Sequence, residues 1–282
     1  MIYNINNIGS NNAYSYTNVQ LEQAYDKDNI PLLDTAPILV VMSYNVQDFR
    51  GINNQPTMQR SIIEKYNPDI IGVQEFYTTN TVPEIASTMF SGYNLERFNH
   101  KNFHAVASKE ALTGKVVHDY TTQDPSDIER FNETRGYMKI YTEFNDKQIC
   151  IFNTHLCLSN APKFEQMREF LNIVLAEDSE YIIVTGDFNV YCMSTEDPEF
   201  DVTWKLWLDN GFHVSNGTDE VGFTGTYSGG TTATSVFTSA PDNIITSNNI
   251  TINSTAYDRT KLSNLTGDNI DHIPMISYLT LN

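Results

Sequence analysis

A buried β-strand that ends in polar side chains, at residues 181–189, is the feature that most constrains the fold of this chain. Its sequence is YIIVTGDFN, an apolar and β-branched run followed by a glycine, the carboxylate of Asp187 and the amide of Asn189. A continuous apolar run of this length is typical of a strand covered on both faces. An isolated Asp-x-Asn sequence is also common in Asx turns. The residues at the ends of the other strands are therefore needed to distinguish a turn from a functional site.

Several other predicted strands carry polar side chains of the same classes at one end. Together with Asp187 and Asn189, these side chains are Asn45, Glu75, His155, Asp242, Asp271 and His272. Between the strands, apolar residues recur at three- and four-residue spacing and predict helices, most clearly at 162–177. A further helix is predicted at 201–210. Alternating strands and helices predict an α/β fold, in which strand ends meet at a shared rim, and we therefore expect these side chains to converge.

The residue types at this rim favour a hard divalent cation. Carboxylate and amide oxygens without a cysteine–histidine cluster suit Mg²⁺, Mn²⁺ or Ca²⁺ rather than zinc. Two imidazoles next to carboxylates suit the transfer of protons around a phosphate. Taken singly, each residue also has a purely structural explanation: Asn45 can be a hydrogen-bonded core amide, Asp242 a turn residue and Glu75 a member of a surface ion pair.

The charge balance disfavours a basic surface that binds nucleic acid. The chain of 282 residues has 17 Lys and Arg against 35 Asp and Glu, a formal net charge of −18. Without a basic patch, counterion release contributes little to phosphate binding, so any phosphate substrate must be held by metal. The three cysteines, Cys150, Cys157 and Cys192, give no even disulfide framework, and we expect buried thiols.

The composition of the chain changes near residue 36. Residues 1–36 are rich in Asn, Tyr, Ser and Gln and poor in branched aliphatic residues, which predicts an N-terminal arm without a core of its own. This arm is either a simple lead-in or an attachment segment that docks on a protein partner. Residues 37–282 are long enough for one layered domain. Because no signal-peptide pattern and no apolar run of about 18 residues occur, we expect a chain that spans no membrane and is cytoplasmic or particle-associated.

Six short motifs of the chain resemble those of one family. They are SYNV at 43–46, GVQE at 72–75, NTHL at 153–156, GDFN at 186–189, PDNII at 241–245 and DHIP at 271–274. In their order and approximate spacing they resemble the endonuclease/exonuclease/phosphatase superfamily, whose fold is that of deoxyribonuclease I. The resemblance implies a four-layer sandwich, in which two mixed β-sheets pack face to face with helices outside, and it implies phosphoester hydrolysis at the rim.

The resemblance also implies which rim residues bind the metal and which activate the water. Glu75 would be the principal metal ligand, with Asn45 beside it and Asp271 as a further metal contact. Asp187 would orient or deprotonate the attacking water, and Asn189 would hold the phosphate or the aspartate. Whether the general base is Asp187 or a histidine stays open at this point.

For the two histidines, the resemblance implies contacts to phosphate oxygens. Asp242 would fix the tautomer of His272. In members that resemble deoxyribonuclease I, the histidine corresponding to His155 pairs with an acidic residue ahead of an earlier strand, whereas residues 99–104 here, NHKNFH, offer no carboxylate. This difference weakens an acid–base role for His155. Arg135, in the sequence ETRG, matches a position where members often place a substrate-binding basic residue; the alternative is a surface arginine.

These observations predict a divalent-metal-dependent phosphodiester hydrolase, and more specifically a nuclease that acts on DNA. The alternatives on the same fold are a phosphatase and a phospholipid phosphodiesterase. A phosphoinositide phosphatase would add basic residues to the rim, for which only Arg135, Lys101 and Lys163 are candidates. The alternative from a different class of function is a structural protein that retains the fold as a component of a larger particle, for instance a viral one, because the abundance of Asn, Thr, Ser and Tyr resembles that of viral particle proteins.

Overall fold

The computed structural model describes residues 36–46, 55–76, 82–98, 103–227, 239–258 and 272–282. The predicted arm at 1–36 lies outside these ranges apart from Ala36. Within them the chain forms twelve strands and six helices. None of these described helices combines the length and the apolar character that crossing a bilayer requires.

Strands and helices are numbered in chain order. The strands are β1 (Leu39–Asn45), β2 (Ile70–Gln74), β3 (Asn94–Arg97), β4 (Ala105–Ser108), β5 (Thr113–Asp119), β6 (Gly136–Phe144), β7 (Lys147–His155), β8 (Tyr181–Asp187), β9 (His213–Val214), β10 (Asp242–Thr246), β11 (Ile250–Tyr257) and β12 (Met275–Leu281). The helices are α1 (Gln55–Tyr66), α2 (Val82–Met89), α3 (Pro125–Phe131), α4 (Asn160–Leu175), α5 (Pro198–Asp201) and α6 (Trp204–Asp209).

The strands form two six-stranded mixed sheets with the same internal arrangement. Sheet A has the strand order β11-β12-β1-β2-β4-β3, and sheet B has the order β5-β6-β7-β8-β10-β9. In each sheet the two central strands are parallel, β1 with β2 and β7 with β8, and every other neighbouring pair is antiparallel. A helix, α1 or α4, lies between the two parallel strands in the chain, as a crossover connection requires.

Three buried apolar clusters separate four layers. One contains side chains of both sheets, among them Val41 of β1 and Ile183 of β8, and lies between the sheets. A second joins Val184 of β8 to Phe170 of α4, and a third joins sheet A to Ile63 of α1. The neighbouring residues Ile183 and Val184 thus face opposite layers, as the two-residue period of a strand dictates. The predicted four-layer sandwich of two mixed β-sheets flanked by helices is confirmed.

The predicted helix at 201–210 is confirmed over Trp204–Asp209, which is α6 and carries both tryptophans, but it begins three residues later than predicted. Thr203, which separates α6 from α5, has a backbone outside the helical range (φ −128°, ψ −98°). The Thr203 hydroxyl donates to the backbone carbonyl of Glu199 at 2.6 Å, an interaction that competes with regular helical hydrogen bonds. The strands β3, β5 and β11 also have no counterpart in the sequence prediction, because β5 is mostly exposed, β3 and β11 are mostly half-buried, and their mixed polar residues lack a continuous apolar signal.

The buried amide of Asn153 joins the two sheets. From β7 in sheet B, its Nδ2 donates to the backbone carbonyls of Val73 at 2.8 Å and Ala105 at 3.0 Å, both in sheet A. Its Oδ1 accepts from Nε2 of Gln74 at 2.6 Å and from Oγ1 of Thr185 at 3.0 Å. All four hydrogen-bonding positions of the amide are therefore used, which removes the large cost of an unpaired polar group in the interior.

The sheets approach closely beside this amide because β2 has a glycine there. A Cβ atom on Gly72 would overlap Oγ1 of Thr185 and would lie 3.0 Å from Oδ1 of Asn153. A larger residue at this position would therefore push the sheets apart and lengthen the hydrogen bonds of Asn153. The close approach fixes the rim of sheet A relative to the rim of sheet B.

We expect Asn153→Asp to lower the free energy of unfolding by at least about 3 kcal/mol, because it keeps the side-chain shape but removes both N–H donors and buries a charge. Urea unfolding followed by circular dichroism measures this loss. Asn145→Asp makes the same chemical change in the exposed turn between β6 and β7, and it should change the free energy by no more than about 0.5 kcal/mol. Equal effects of the two substitutions would contradict the role of Asn153.

Candidate active site

The strand register brings most of the predicted site residues to one rim. In sheet B, His155 of β7 lies beside Asp187 of β8, which in turn lies beside Asp242 of β10. In sheet A, Asn45 ends β1 opposite the last residue of β2, so that Glu75 follows directly. Because Asn45 of sheet A contacts Asp187 of sheet B, both sheets present these ends on the same side of the sandwich.

One oxygen atom, Oδ2 of Asp187, is the centre of the cluster. It accepts a hydrogen bond from Nδ2 of Asn45 at 2.9 Å, and the Nε2 atoms of His155 and His272 each lie 3.5 Å away. Nδ2 of Asn45 also donates to Oε1 of Glu75 at 3.0 Å. Asp187 is only 1% exposed, so these groups interact in a surrounding of low dielectric, where charges and hydrogen bonds act strongly.

Two residues of the cluster have left-handed backbone conformations. Glu75 has φ +53° directly after β2, and Asn189 has φ +51° two residues after β8. Such conformations cost a non-glycine residue roughly 1–2 kcal/mol, and they occur often at functional sites. At Asn189 the turn lets the backbone N–H donate to Oδ1 of Asp187 at 2.9 Å, so the Asx turn that Asp-x-Asn allows is present and orients the carboxylate of the site.

His272 is held by a carboxylate and by an aromatic ring. Its Nδ1 lies 2.8 Å from Oδ2 of Asp242, so that the carboxylate accepts the Nδ1–H and Nε2 faces Asp187. The ring of Tyr227 packs against the imidazole with centroids 4.9 Å apart. Asp242 therefore occupies the position that the sequence prediction assigns to it.

Arg135 lies behind His155 and is buried. It is 4% exposed, and its Nη1 lies 2.8 Å from Nδ1 of His155. The guanidinium also pairs with Oδ2 of Asp127 at 3.1 Å and with Oε2 of Glu133 at 2.8 Å. The alternative of a surface arginine is therefore wrong, whereas direct contact between Arg135 and substrate stays a prediction.

A buried lysine, Lys163 of α4, supports the loop that follows β8. Its Nζ donates to the backbone carbonyl of Asn189 at 2.6 Å and pairs with Oε1 of Glu199 at 2.7 Å. Glu199 accepts the backbone N–H of Tyr191 at 2.9 Å, and the Tyr191 hydroxyl donates to Oδ1 of Asn189 at 3.0 Å. Lys163 is fully buried, so it adds no positive charge to the surface of the rim.

Burial changes the protonation equilibria of the cluster. It raises the pKa of Asp187, and the neighbouring carboxylate of Asp242 raises that pKa further. Burial also raises the pKa of the Glu75 carboxyl. The pKa of His155 lies well below its ordinary value, because of burial first and the charge of Arg135 second. The cluster therefore combines carboxylates at which burial outweighs the nearby positive charge with an imidazole that stays neutral.

These carboxylates fit a hard divalent cation. Glu75, His155 and Asp187 each offer one ligand atom within 4.8 Å of the others. His155 is unsuitable as a ligand, because Arg135 occupies its Nδ1 and its Nε2 then carries the hydrogen. The remaining donors are oxygens, and Mg²⁺, Mn²⁺ and Ca²⁺ prefer oxygen ligands. Glu75 is therefore a residue that would hold such a cation, and the amide oxygen of Asn45, whose Nδ2 lies 3.0 Å from Oε1 of Glu75, is the neighbouring oxygen that would join it.

Two predicted residues, Asp271 as a metal contact and Lys101 as a basic residue of the rim, lie outside the described residues. Sequence patterns also did not indicate the roles of Asn153 and Lys163. A signal existed for Asn153, which precedes His155 by two residues in one strand, so that both side chains lie on the same face. Lys163 carries no comparable signal, because its position in an amphipathic helix equally fits a solvated lysine.

Comparison with known families identifies the class of protein to which this fold and site correspond. The model of the endonuclease/exonuclease/phosphatase family matches residues 42–273. The chain therefore belongs to this family. No curated protein sequence matches the chain.

Solved structures have the same fold at low sequence identity. TDP2 from D. rerio, complexed with a single-strand DNA product, has a TM-score of 0.67 at 15% identity, with 88% of this chain and 100% of that chain covered. An endonuclease/exonuclease/phosphatase family protein from Bacteroides thetaiotaomicron has a TM-score of 0.62 at 14% identity, over 88% and 100% of the two chains. Sphingomyelinase C from Streptomyces griseocarneus has a TM-score of 0.57 at 14% identity, over 86% and 99%. These similarities establish the fold alone.

We expect Glu75→Gln to weaken the binding of Mn²⁺ or Mg²⁺ by tenfold or more, about 1.4 kcal/mol, because a hard cation loses a formal negative charge from its ligands. Isothermal titration calorimetry measures the affinity. Glu64→Gln, which makes the same change on the exposed face of α1, serves as the control and should leave the affinity unchanged. Unaltered affinity in Glu75→Gln would rule out Glu75 as a ligand.

Proposed function

We propose that this protein is a divalent-metal-dependent phosphodiester hydrolase whose substrate is DNA. The observation that supports the proposal most is the convergence of Asn45, His155 and His272, from three separate segments of the chain, on Oδ2 of Asp187. A buried carboxylate between two imidazoles, next to the oxygen ligands of a cation, is suited to activating water beside a phosphate.

Glu75 and Asn45 would hold the cation, with Asp271 as the further contact that the sequence resemblance implies. When bound, the cation supplies positive charge that lowers the cost of the negative charge developing on the phosphate oxygens. Such compensation matters here because the formal net charge of the chain is −18 and would otherwise repel the substrate.

Asp187 positions the attacking water and accepts its proton in this proposal. Burial raises the pKa of Asp187, and a carboxylate with a higher pKa is a stronger base. The backbone N–H of Asn189 binds one carboxylate oxygen and the Asn45 side chain binds the other. The carboxylate is therefore oriented before substrate binds, which reduces the entropy lost on reaching the transition state.

The two histidines stabilise the phosphate and the leaving group. Asp242 accepts the Nδ1–H of His272 and orients the ring, so that Nε2 faces the site and is placed to donate a proton to the leaving oxygen. His155 lies at the same 3.5 Å distance from Asp187 and can donate a hydrogen bond from Nε2 to a phosphate oxygen. Asn189 contributes chiefly through its backbone, since its side-chain oxygen already accepts from Tyr191.

The choice of DNA rests on two supports. The structure of TDP2 from D. rerio contains a single-strand DNA product. A phosphoinositide phosphatase would need basic residues at the rim, but Lys163 is buried against Glu199 and Arg135 is buried against Asp127 and Glu133. A sphingomyelinase shares the fold, so a phospholipid phosphodiesterase is the competing activity. A particle component that only retained the fold would have no use for buried charges, which cost stability.

Hydrolysis of supercoiled plasmid DNA by the purified protein tests the proposal directly. With Mg²⁺ or Mn²⁺ we expect nicked DNA, and a chelator should stop the reaction because the charge on the phosphate is then no longer compensated. Sphingomyelin vesicles assayed in parallel test the competing activity. Hydrolysis of the lipid without the DNA would contradict the DNA substrate, and hydrolysis of neither would contradict a role as a phosphodiesterase.

Asp187→Ala should lower the rate of phosphodiester hydrolysis at least about a hundredfold, equal to about 3 kcal/mol of transition-state stabilisation, because general-base catalysis is of that order. Its melting temperature should stay near that of the wild type, since the substitution also removes a buried carboxylate with a raised pKa. Asp209→Ala, at an exposed position of α6, is the control and should retain full activity. A stable and fully active Asp187→Ala protein would refute the assignment of Asp187.

A further inference from the structure

We propose that Arg135 is a positioning residue, which holds His155 as the neutral imidazole that carries its hydrogen on Nε2. In this state His155 donates a hydrogen bond into the site, but it neither transfers the proton of the reaction nor binds the cation. The consequence for catalysis rests on the proposed hydrolase function, whereas the tautomer itself can be measured without any activity.

The direction of one hydrogen bond carries the argument. A guanidinium group has five N–H donors and no acceptor. Nη1 of Arg135 lies 2.8 Å from Nδ1 of His155, so Nδ1 must be the acceptor and carries no hydrogen. In a neutral imidazole the hydrogen is then on Nε2, and an imidazolium is incompatible with this bond because both of its nitrogens carry hydrogens.

Arg135 cannot easily leave this position or lose its charge. Its Nε pairs with Asp127 and its Nη1 with Glu133, and both carboxylates are buried. Although burial opposes the charge, these two carboxylates raise the pKa of Arg135 above its ordinary value. The backbone N–H of Arg135 also donates to Oε1 of Gln123 at 2.8 Å. The guanidinium that faces His155 is therefore held by its own ion pairs, and the backbone of Arg135 is held by its hydrogen bond to Gln123.

The two histidines of the site consequently have opposite partners. Nδ1 of His272 donates to the carboxylate of Asp242, whereas Nδ1 of His155 accepts from the guanidinium of Arg135. Both Nε2 atoms lie 3.5 Å from Oδ2 of Asp187. The two rings therefore present Nε2 to the site with opposite partners behind them, and hydrogen-bond donation into the site belongs to His155.

The other described groups around His155 provide no carboxylate at Nδ1. On the side of β4, His104 is itself a buried imidazole whose Nδ1 donates to the backbone carbonyl of Asn153 at 3.2 Å, and burial lowers its pKa to about 3. The carboxylates of Glu75 and Asp187 lie on the side of Nε2. Among the described residues, Nδ1 of His155 therefore faces the guanidinium of Arg135 and no carboxylate, so that this nitrogen accepts the hydrogen bond.

Nitrogen NMR of the Mg²⁺-loaded wild-type protein tests the tautomer. The resonances of His155 are identified by their absence in His155→Gln. We expect Nδ1 to have the chemical shift of an unprotonated nitrogen and Nε2 that of a protonated nitrogen. A protonated Nδ1 would overturn the proposal, whether or not the protein hydrolyses DNA.

A double-mutant cycle tests whether Arg135 acts through His155. Arg135→Lys keeps the positive charge near Asp127 and Glu133 but loses the planar donor that reaches His155. With a DNA oligonucleotide and saturating Mg²⁺, it should lower kcat about tenfold with little change in KM. In the His155→Gln background the same substitution should lower kcat less than about twofold, because the residue through which it acts is absent.

Thermal unfolding of the wild type, the two single variants and the double variant separates a loss of folded protein from a loss of turnover. Each kcat is expressed per folded molecule. Equal losses in both backgrounds would show that Arg135 acts on the substrate itself and would overturn the proposal. If the wild-type protein hydrolyses neither DNA nor sphingomyelin, the proposed function fails, and the NMR result alone decides the state of His155.

Discussion

The hydrogen bonds of Asn153 between the sheets are the interaction on which the site depends. The site takes Glu75 from sheet A and His155 from sheet B, so its geometry requires a fixed distance between the two sheets at the rim. Asn153 lies two residues before His155, and it binds the carbonyl of Val73, two residues before Glu75. Apolar packing alone is not directional, whereas a fully paired amide specifies one relative position of the strands.

Around this fixed frame, the site holds buried carboxylates whose positive neighbours offset the cost of burial only in part. The raised pKa values of Glu75 and Asp187 express the cost of holding two carboxylates in a buried cluster. The left-handed backbone of Glu75 adds to this cost. Such costs to stability are common at functional sites, and here a bound cation would offset the cost of the buried carboxylates. By contrast, Arg135 is paired with two buried carboxylates, and it still donates a hydrogen bond to His155.

The strands and helices that local sequence patterns specify were predictable. The side-chain contacts that depend on tertiary packing were not. Apolar runs with polar ends predicted the central strands and most of the rim, because burial on both faces leaves a strong signal. Edge strands such as β5 are exposed and leave little signal. The pairing of Arg135 with His155 joins residues 20 positions apart, and no local sequence pattern indicates it. The non-helical backbone of Thr203 before α6, with its hydroxyl bonded to the carbonyls of Glu199 and Phe200, is not indicated by residue spacing.

The strand order of the two sheets has a consequence for translation. Sheet B consists of six strands that are consecutive in the chain, β5 to β10, whereas sheet A combines β1 to β4 with β11 and β12. On the ribosome, sheet B is therefore complete before β12 emerges, and until then β1 has an open edge in the place of its partner. Since a domain generally folds as a unit, the rim that both sheets share cannot be complete until β12 has emerged, and the polypeptide has no assembled centre for most of its own synthesis.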